Sequence, residues 1–315
     1  LNLKQFQSLR YGENPHQSAI WYSVSENGNG GSEPDFPPFE QIQGKEMSSN
    51  NLVDTFALTT FLKELHSPAV CIIKHNNPCG IAEGKTLAEA FEKALSTDPI
   101  SAFGGIFGFT EEVDAPLIDE MLKGFVEIVA APSFTSAALE RLSKKKNVRV
   151  LKYKTQALSS NTSQNWKVRD LQDFGWILEK ADEPPVRPQA FKLATGEARS
   201  DLDKDIAFAW NVVKHLTSNA IFLAKDGKSL GFGIGQTSRI ASVKIALEQA
   251  GEDARGAVMA SDAFFPATDN IDAAAEAGIS VIVQPGGSIK DEEVLEACKK
   301  HGITMLLTGQ RCFKH

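Results

Sequence analysis

The apolar positions of this chain fall into short blocks separated by turn formers, and the blocks alternate between strand-like and helix-like lengths. Ala69–Ile73 is an apolar run that stops abruptly at Lys74-His75-Asn76-Asn77, which predicts a buried strand delivering polar side chains to its carboxyl end. Pro78 and Gly80 are expected to turn the chain, and Leu87–Leu95 restarts it as an amphipathic helix. Upstream, Leu9–Gln17 is too polar for a core and too rich in turn formers for a helix, so it reads as a surface loop entering the strand AIWYSV. From Ser48, cap-type residues precede Leu52, Phe56, Ala57, Thr60 and Leu65 at helical spacing. Asp98–Phe109 reads as an apolar strand interrupted by Gly104-Gly105, and Phe125–Pro132 as a buried strand with one carboxylate, Glu127.

The second half repeats this order faintly. A helix over Asp201–His215 leads to a strand at Ala220–Ala224; Lys225-Asp226-Gly227 then turns into a glycine-rich loop, Gly231–Arg239, and another helix follows. A strand from Val258 breaks at Phe264-Phe265 before Asp269-Asn270, and Ser280–Ser288, a helix, a strand and a short tail close the chain. Alternation of this kind in both halves predicts α/β architecture with two similar sheets. Glu26–Pro38 reads as a flexible excursion, and the boundary between halves is expected within the polar, proline-bearing stretch 155–195.

Composition narrows the class. The 315 residues suffice for two ordinary domains or one large one, and 42% hydrophobic with 23% charged residues permits a sizeable core. The balance of 33 Lys+Arg against 40 Asp+Glu gives −7, which argues against nucleic acid and leaves anionic ligands to local sites. Cys71, Cys79, Cys298 and Cys312 form no CxxC pair, so neither a disulfide framework nor a thiolate zinc site is indicated and a reducing compartment fits best. No run approaches the roughly 18 apolar residues of a membrane span. The first residue, Leu1, is neither Met nor the start of a signal-like segment, consistent with a natural start outside the given sequence.

Several residues carry candidate chemistry. Lys74-His75, followed by two amides and a Pro-Cys-Gly turn, points to function rather than to a solvated turn. Arg10 could grip a phosphate or carboxylate bidentately and His16 could donate to one, although a loop arginine is more often solvated or ion-paired. Asn51 is a helix cap or a ligand contact, the cap being the commoner role. Glu127 is an outward strand position or a partner for an amine or sugar hydroxyl. The amides of Gly231–Arg239 could face an anion, yet the segment is neither a P-loop nor a dinucleotide fingerprint.

The strings RYGENPHQ, KHNNPCG, DPISAFGG, SNAI, GQTSR, SDAFFP with DN following, PGGSI and the closing RCFKH occur together and in this order. In this the chain, from Leu9 to His315, resembles AICAR transformylase, the formyltransferase half of a bifunctional purine-biosynthesis family. The resemblance implies two cytidine-deaminase-like three-layer α/β/α domains without zinc, spanning 1–190 and 191–315; zinc deaminases of that fold carry a PCxxC pair, and Pro78-Cys79 has no second cysteine three residues on. It implies transfer of the formyl group of 10-formyltetrahydrofolate to the 5-amino group of AICAR. Lys74, His75 and Asn219 would be catalytic, His75 taking the amine proton and Asn219 holding the oxyanion. Arg10, Tyr11, His16, Asn51, Gly104, Glu127 and Arg311 would bind AICAR, and Arg239, Phe264, Asp269, Asn270, Ser288 and Phe313 the folate. A cytoplasmic homodimer with shared sites and a structural monovalent cation such as K+ are further implications.

Two departures stand out. The IMP cyclohydrolase domain that accompanies this family is absent from these residues, and Cys312 stands where the family usually has His. The rival readings are a deaminase-like hydrolase, disfavoured by the cysteine spacing, and a catalytically silent nucleotide-binding or oligomerisation module, disfavoured by the intact Lys74-His75.

Overall fold

The computed structural model describes residues 2–25, 37–154, 166–180 and 186–315. Most of the expected excursion at 26–38, and 155–165 and 181–185 of the boundary stretch, lie outside the described residues. The first half holds the hairpin β1 (Asn2–Leu9) and β2 (Ala19–Ser25), then β3 (Phe39–Gln43), α1 (Ser49–Leu62), β4 (Ala69–Lys74), β5 (Asn77–Glu83), α2 (Leu87–Thr97), β6 (Gly105–Phe109), α3 (Ala115–Met121), β7 (Val126–Ala131), α4 (Ser136–Ser143) and β8 (Arg149–Tyr153). A second separate hairpin, β9 (Trp166–Asp170) and β10 (Trp176–Lys180), follows. The second half holds β11 (Lys192–Thr195), α5 (Asp203–Val213), β12 (Ile221–Lys225), β13 (Lys228–Gly233), α6 (Arg239–Ala250), β14 (Val258–Ser261), α7 (Asp269–Glu276), β15 (Val281–Gln284), α8 (Asp291–His301) and β16 (Thr304–Leu307).

In place of the two similar sheets expected, a single sheet of twelve strands among the described residues, ordered β11-β16-β15-β14-β12-β13-β5-β4-β6-β7-β8-β3, runs through both halves because β13 pairs with β5. Outward from its centre, β5-β4-β6-β7-β8-β3 repeats as β13-β12-β14-β15-β16-β11. Each half is thus an antiparallel hairpin, three mutually parallel strands and an antiparallel edge strand. The halves meet where β13 pairs antiparallel with β5 at Lys228 and Ala82. There Ser229 Oγ accepts from Ile81 N at 2.9 Å, and Gly227 O accepts from Glu83 N at 2.8 Å.

Helices cover both faces because the central strands are apolar on both sides. Cys71 and Ile73 of β4 join a core with Leu58 and Phe61 of α1, Trp210 of α5 and Phe222 of β12, so α1 and α5 share one face across both halves. Val70 and Ile72 face the other way, against Phe91 of α2, Ile118 of α3 and Leu142 of α4. Over the second half that face is closed by Val243 of α6, Ile271 of α7 and Val294 of α8. Among the described residues no helix is long and apolar enough to cross a membrane.

The register corrects several expectations. Pro78 and Gly80 do not turn the chain away from the sheet; they lie in β5, and the turn is the His75-Asn76 tip of a β4–β5 hairpin. Gly231 and Gly233 likewise belong to β13 and not to an anion-cradling loop. The physical reason is close packing of a helix on a strand. A Cβ on Gly80 would lie 1.9 Å from Ala94 O of α2, and one on Gly231 would lie 2.1 Å from Ala246 O of α6. Gly104 ends a turn with φ 76° and Gly105 begins β6, so no strand is interrupted there. The strand from Val258 ends at Ser261, before Phe264, and β1, β3, α3, β8 and α7 are elements that the sequence pattern does not predict. On α1 the buried residues are Asn51, Thr55, Ala57, Leu58, Phe61 and Leu62, so Ala57 faces inward as expected, whereas Phe56 is 72% exposed.

Candidate active site

The hairpins and antiparallel pairs fix which residues share an end of the sheet. Lys74 ends β4 where Gly105 begins β6, and β13 ends at Gly233 opposite Ile221, two residues after Asn219. Ile221 also faces Ser261 at the end of β14, and the parallel β15 and β16 send Ser288 and the tail to the same end. The expected residues therefore gather along one end of one sheet, although they come from both halves of the chain.

At the tip, His75 and Asn76 have φ of 52° and 63°, a left-handed pair between the facing residues Lys74 and Asn77. Two-residue hairpin turns of this kind favour Asn-Gly or Asp-Gly, and a non-glycine residue held there costs on the order of 1–3 kcal/mol. His75 is exposed at this tip and is not packed in a core. Lys74 Nζ donates to Phe103 O at 2.8 Å. From α1, Asp54 Oδ1 accepts from Asn76 N at 2.7 Å; burial raises the Asp54 pKa, while the Asn76 amide and the nearby His75 oppose that shift.

A second group surrounds the start of α1. Ser48 caps the helix and Asn51 closes a capping box, its Oδ1 accepting from Ser48 N at 3.1 Å. Its Nδ2 still donates to Glu127 Oε1 at 2.9 Å, so cap and site contact are one residue. Glu127 is not a lone acid, because Arg149 Nη1 reaches the same oxygen at 3.2 Å while its other nitrogens donate to Glu46 O. Burial lowers the pKa of Arg149, with Glu127 opposing and the charge of Arg10 adding to the shift. Arg10 and Tyr11 are tied to this corner by Arg10 N donating to Met47 O at 2.9 Å and Ser49 N to Tyr11 O at 3.0 Å. Gly104 N donates to Phe125 O at 2.7 Å, whereas His16 lies exposed in the loop before β2.

The third group centres on Asp262, which is fully buried. Its carboxylate accepts from Arg239 Nη1, from Ser218 Oγ and from Ala220 N. Arg239 Nη2 donates to Asn219 Oδ1 at 2.8 Å, and Asn219 Nδ2 donates to Gln236 O at 2.8 Å, which leaves one Nδ2 hydrogen uncommitted. The tail is tied in through Cys312 N to Asp262 O at 3.0 Å, and Arg311 stacks over Phe313 at 4.4 Å. Arg239 is thus a buried support of Asn219, 6% exposed. Asp269 accepts from Asn270 Nδ2, Phe264 is partly exposed, and Ser288 Oγ accepts from Lys290 N.

Sequence reasoning missed Asp54, Arg149 and Asp262. Asp54 and Arg149 carry no local signal, because only strand and helix placement brings them to this end; Asp262 sits at a strand end, where a lone acid inside SDAFFP could have drawn notice. A cavity of about 410 Å³ lined by Phe91, Leu95, Phe103, Phe107, Met121 and Phe125 lies between α2 and α3, and none of the expected site residues lines it.

The AICARFT/IMPCHase bienzyme family model matches residues 1–249. The chain belongs to this family. Among its relatives, the bifunctional purine biosynthesis protein PurH of Desulfitobacterium hafniense (strain DSM 10664 / DCB-2) is 45% identical over 310 residues, covering 98% of this chain and 58% of the relative. The PurH of Anoxybacillus flavithermus is 44% identical over 315 residues, covering 98% of this chain and 59% of the relative. The chain therefore spans less than two thirds of the length of these relatives. A solved structure of Acinetobacter baumannii RibD aligns with 35% of this chain and 36% of its own at 18% identity and a TM-score of 0.28, too low to bear on the fold.

Proposed function

We propose that this chain transfers the formyl group of 10-formyltetrahydrofolate to the 5-amino group of AICAR, giving FAICAR for IMP synthesis, with the cyclohydrolase step outside these residues. The supporting observation is the exposed, left-handed His75-Asn76 tip, next to Lys74, at the same sheet end as the oriented amide of Asn219. The AICAR amine is a poor nucleophile, so the barrier is lowered by removing its proton and by stabilising the tetrahedral oxyanion. His75 accepts the proton as the amine nitrogen attacks the formyl carbon. The uncommitted Nδ2 hydrogen of Asn219 and the remaining ammonium hydrogens of Lys74 face the developing oxyanion. Collapse breaks the bond from the formyl carbon to N10 of the folate, which takes the proton from His75.

Arg10, Tyr11, Asn51, Gly104, Glu127 and Arg311 hold AICAR in this reading, with His16 at the loop edge. Phe264, Asp269, Asn270, Ser288 and Phe313 hold the folate, with Arg239 behind them. Two buried polar atoms on the folate side, Arg239 Nε and Asn270 Oδ1, have no hydrogen-bond partner among the described residues, which suits a ligand edge arriving there. Two cytidine-deaminase-like domains, 1–190 and 191–315, working as a cytoplasmic homodimer, complete the proposal. His75 is exposed at the sheet end, and Phe56 and Ile100 are 72% and 86% exposed, as a shared interface would need. Among the described residues no group of three or more His, Cys, Asp or Glu is placed to share a metal ion, and no step is routed through the implied monovalent cation.

The test is direct. On mixing the chain with AICAR and 10-formyltetrahydrofolate, the absorbance should change as tetrahydrofolate forms; no turnover at high chain concentration would overturn the reading.

A further inference from the structure

The His75-Asn76 turn has a counterpart in the other half that shows what holds it. At the β12–β13 tip, Asp226 and Gly227 have φ of 55° and 67°, and their amides donate to the two carboxylate oxygens of Asp205, on α5, at 2.9 and 2.8 Å. At the β4–β5 tip the helix on the same face, α1, supplies Asp54, whose Oδ1 accepts from Asn76 N at 2.7 Å. Turning the Asn76 amide about lets its nitrogen also donate to Asp54 Oδ1 at 3.0 Å and to Val53 O at 3.2 Å. In both halves an aspartate from the preceding helix caps a left-handed turn, yet only the first turn lacks glycine and carries an imidazole.

We propose that Asp54 is a positioning residue, holding the strained His75-Asn76 backbone so that the imidazole projects from the tip and placing an anion beside it. This deepens the formyl-transfer reading and rests on it for its kinetic consequence. A left-handed turn without glycine relaxes unless the surroundings over-determine it, and Asp54 from α1 supplies that restraint where Lys74, bonded to Phe103 O, fixes the strand below. The charged groups around the tip are Lys74 on β4, Asp54 on α1 and Asp98 after α2, all felt by the buried Cys79 of β5, with Glu127 on β7 felt by Asp54. Asp54 is thus the acid that bonds the turn itself.

The variants Asp54→Ala, Asp54→Asn and Asp205→Ala separate the roles. Asp54→Ala is expected to lower kcat by about tenfold or more with KM for AICAR within about threefold, and to speed hydrogen exchange at the Asn76 amide by about tenfold. Asp54→Asn keeps an acceptor for Asn76 N but loses the charge. Its exchange stays near wild type, and its kcat falls less than that of Asp54→Ala. Asp205→Ala, at the opposite sheet end, is expected to lower the melting temperature and leave kcat unchanged. Unchanged Asn76 exchange in Asp54→Ala overturns the proposal, as does an Asp205→Ala variant that loses kcat as far as Asp54→Ala. If the wild-type chain transfers no formyl group, the reaction reading falls, and the exchange measurement still decides whether Asp54 holds the turn.

Discussion

At the end of β4 the turn is His75-Asn76, and at the end of β12 it is Asp226-Gly227, with almost the same left-handed backbone. The likeness extends outward. Lys74 Nζ donates to Phe103 O and Lys225 Nζ to Arg255 O, each at 2.8 Å, and each carbonyl precedes a left-handed glycine, Gly104 or Gly256. Those glycines in turn donate to Phe125 O and Gly278 O at 2.7 and 2.8 Å. The lysine-to-carbonyl bond is therefore part of the fold in both halves, and a lysine at a strand end is not by itself a sign of catalysis. What differs is the occupant of the turn. The second tip uses Asp-Gly, a pair suited to this geometry, whereas the first accepts strain to present an imidazole. The glycine that eases the second tip is absent from the first, and an imidazole stands where the second has Asp226, which marks His75 more firmly than the Lys-His pair does.

The comparison can be broken or sharpened by measurement. The largest expected effect is on turnover: His75→Ala should lower kcat by at least about 10² with AICAR binding nearly intact, while Asp226→Ala should leave it within about twofold. A normal rate in His75→Ala would remove the imidazole from the reaction. Next come the packing glycines, where Gly80→Ala and Gly231→Ala should each cost about 1–3 kcal/mol in urea unfolding, because a helix backbone must move in both. A large cost at one position alone would mean that the halves do not share this packing.

A smaller, pH-dependent effect belongs to the contact between the halves. Glu64, after α1, meets Lys214 at 2.8 Å and His215 at 3.4 Å, both after α5. Burial alone would raise its pKa, but the bonds and charges of His215 and Lys214 outweigh burial and hold it at about 2. A depressed carboxylate stabilises the fold above its unfolded pKa of about 4.3, and that contribution fades as pH falls toward 2. Burial depresses the His215 pKa as well, so protonation below its unfolded value of about 6.5 also favours the unfolded chain. Stability should therefore fall on acidification from pH 7, and Glu64→Gln should flatten the part below about pH 4.3 in chemical unfolding. The smallest effect is at the turns, where Asn76→Gly should stabilise and Gly227→Asn destabilise by about 0.5–1 kcal/mol, read as opposite shifts in melting temperature.

Much of the architecture was legible locally. Ala69–Ile73, Ala220–Ala224 and Val281–Gln284 are apolar enough to be strands in any setting, and Ser48 announced α1. Pro78, Gly80 and Gly231 misled because glycine and proline ordinarily punctuate, whereas here they sit in strands pressed by α2 and α6. Phe56 misled because an apolar residue at helical spacing is expected inward, and on α1 it faces out. Lys74, His75 and Asn219 stood out in the sequence, but the restraints on them did not.

The sequence by itself determined the alternation of strands and helices, the apolar faces and the chemical groups at the strand ends, because these follow from residue type and spacing. Only the tertiary structure decided that Asp54, Arg149 and Asp262 brace those groups, and that two distant segments share one sheet end. Such pairings depend on strand register and on desolvation between segments separated along the chain, which no local pattern encodes.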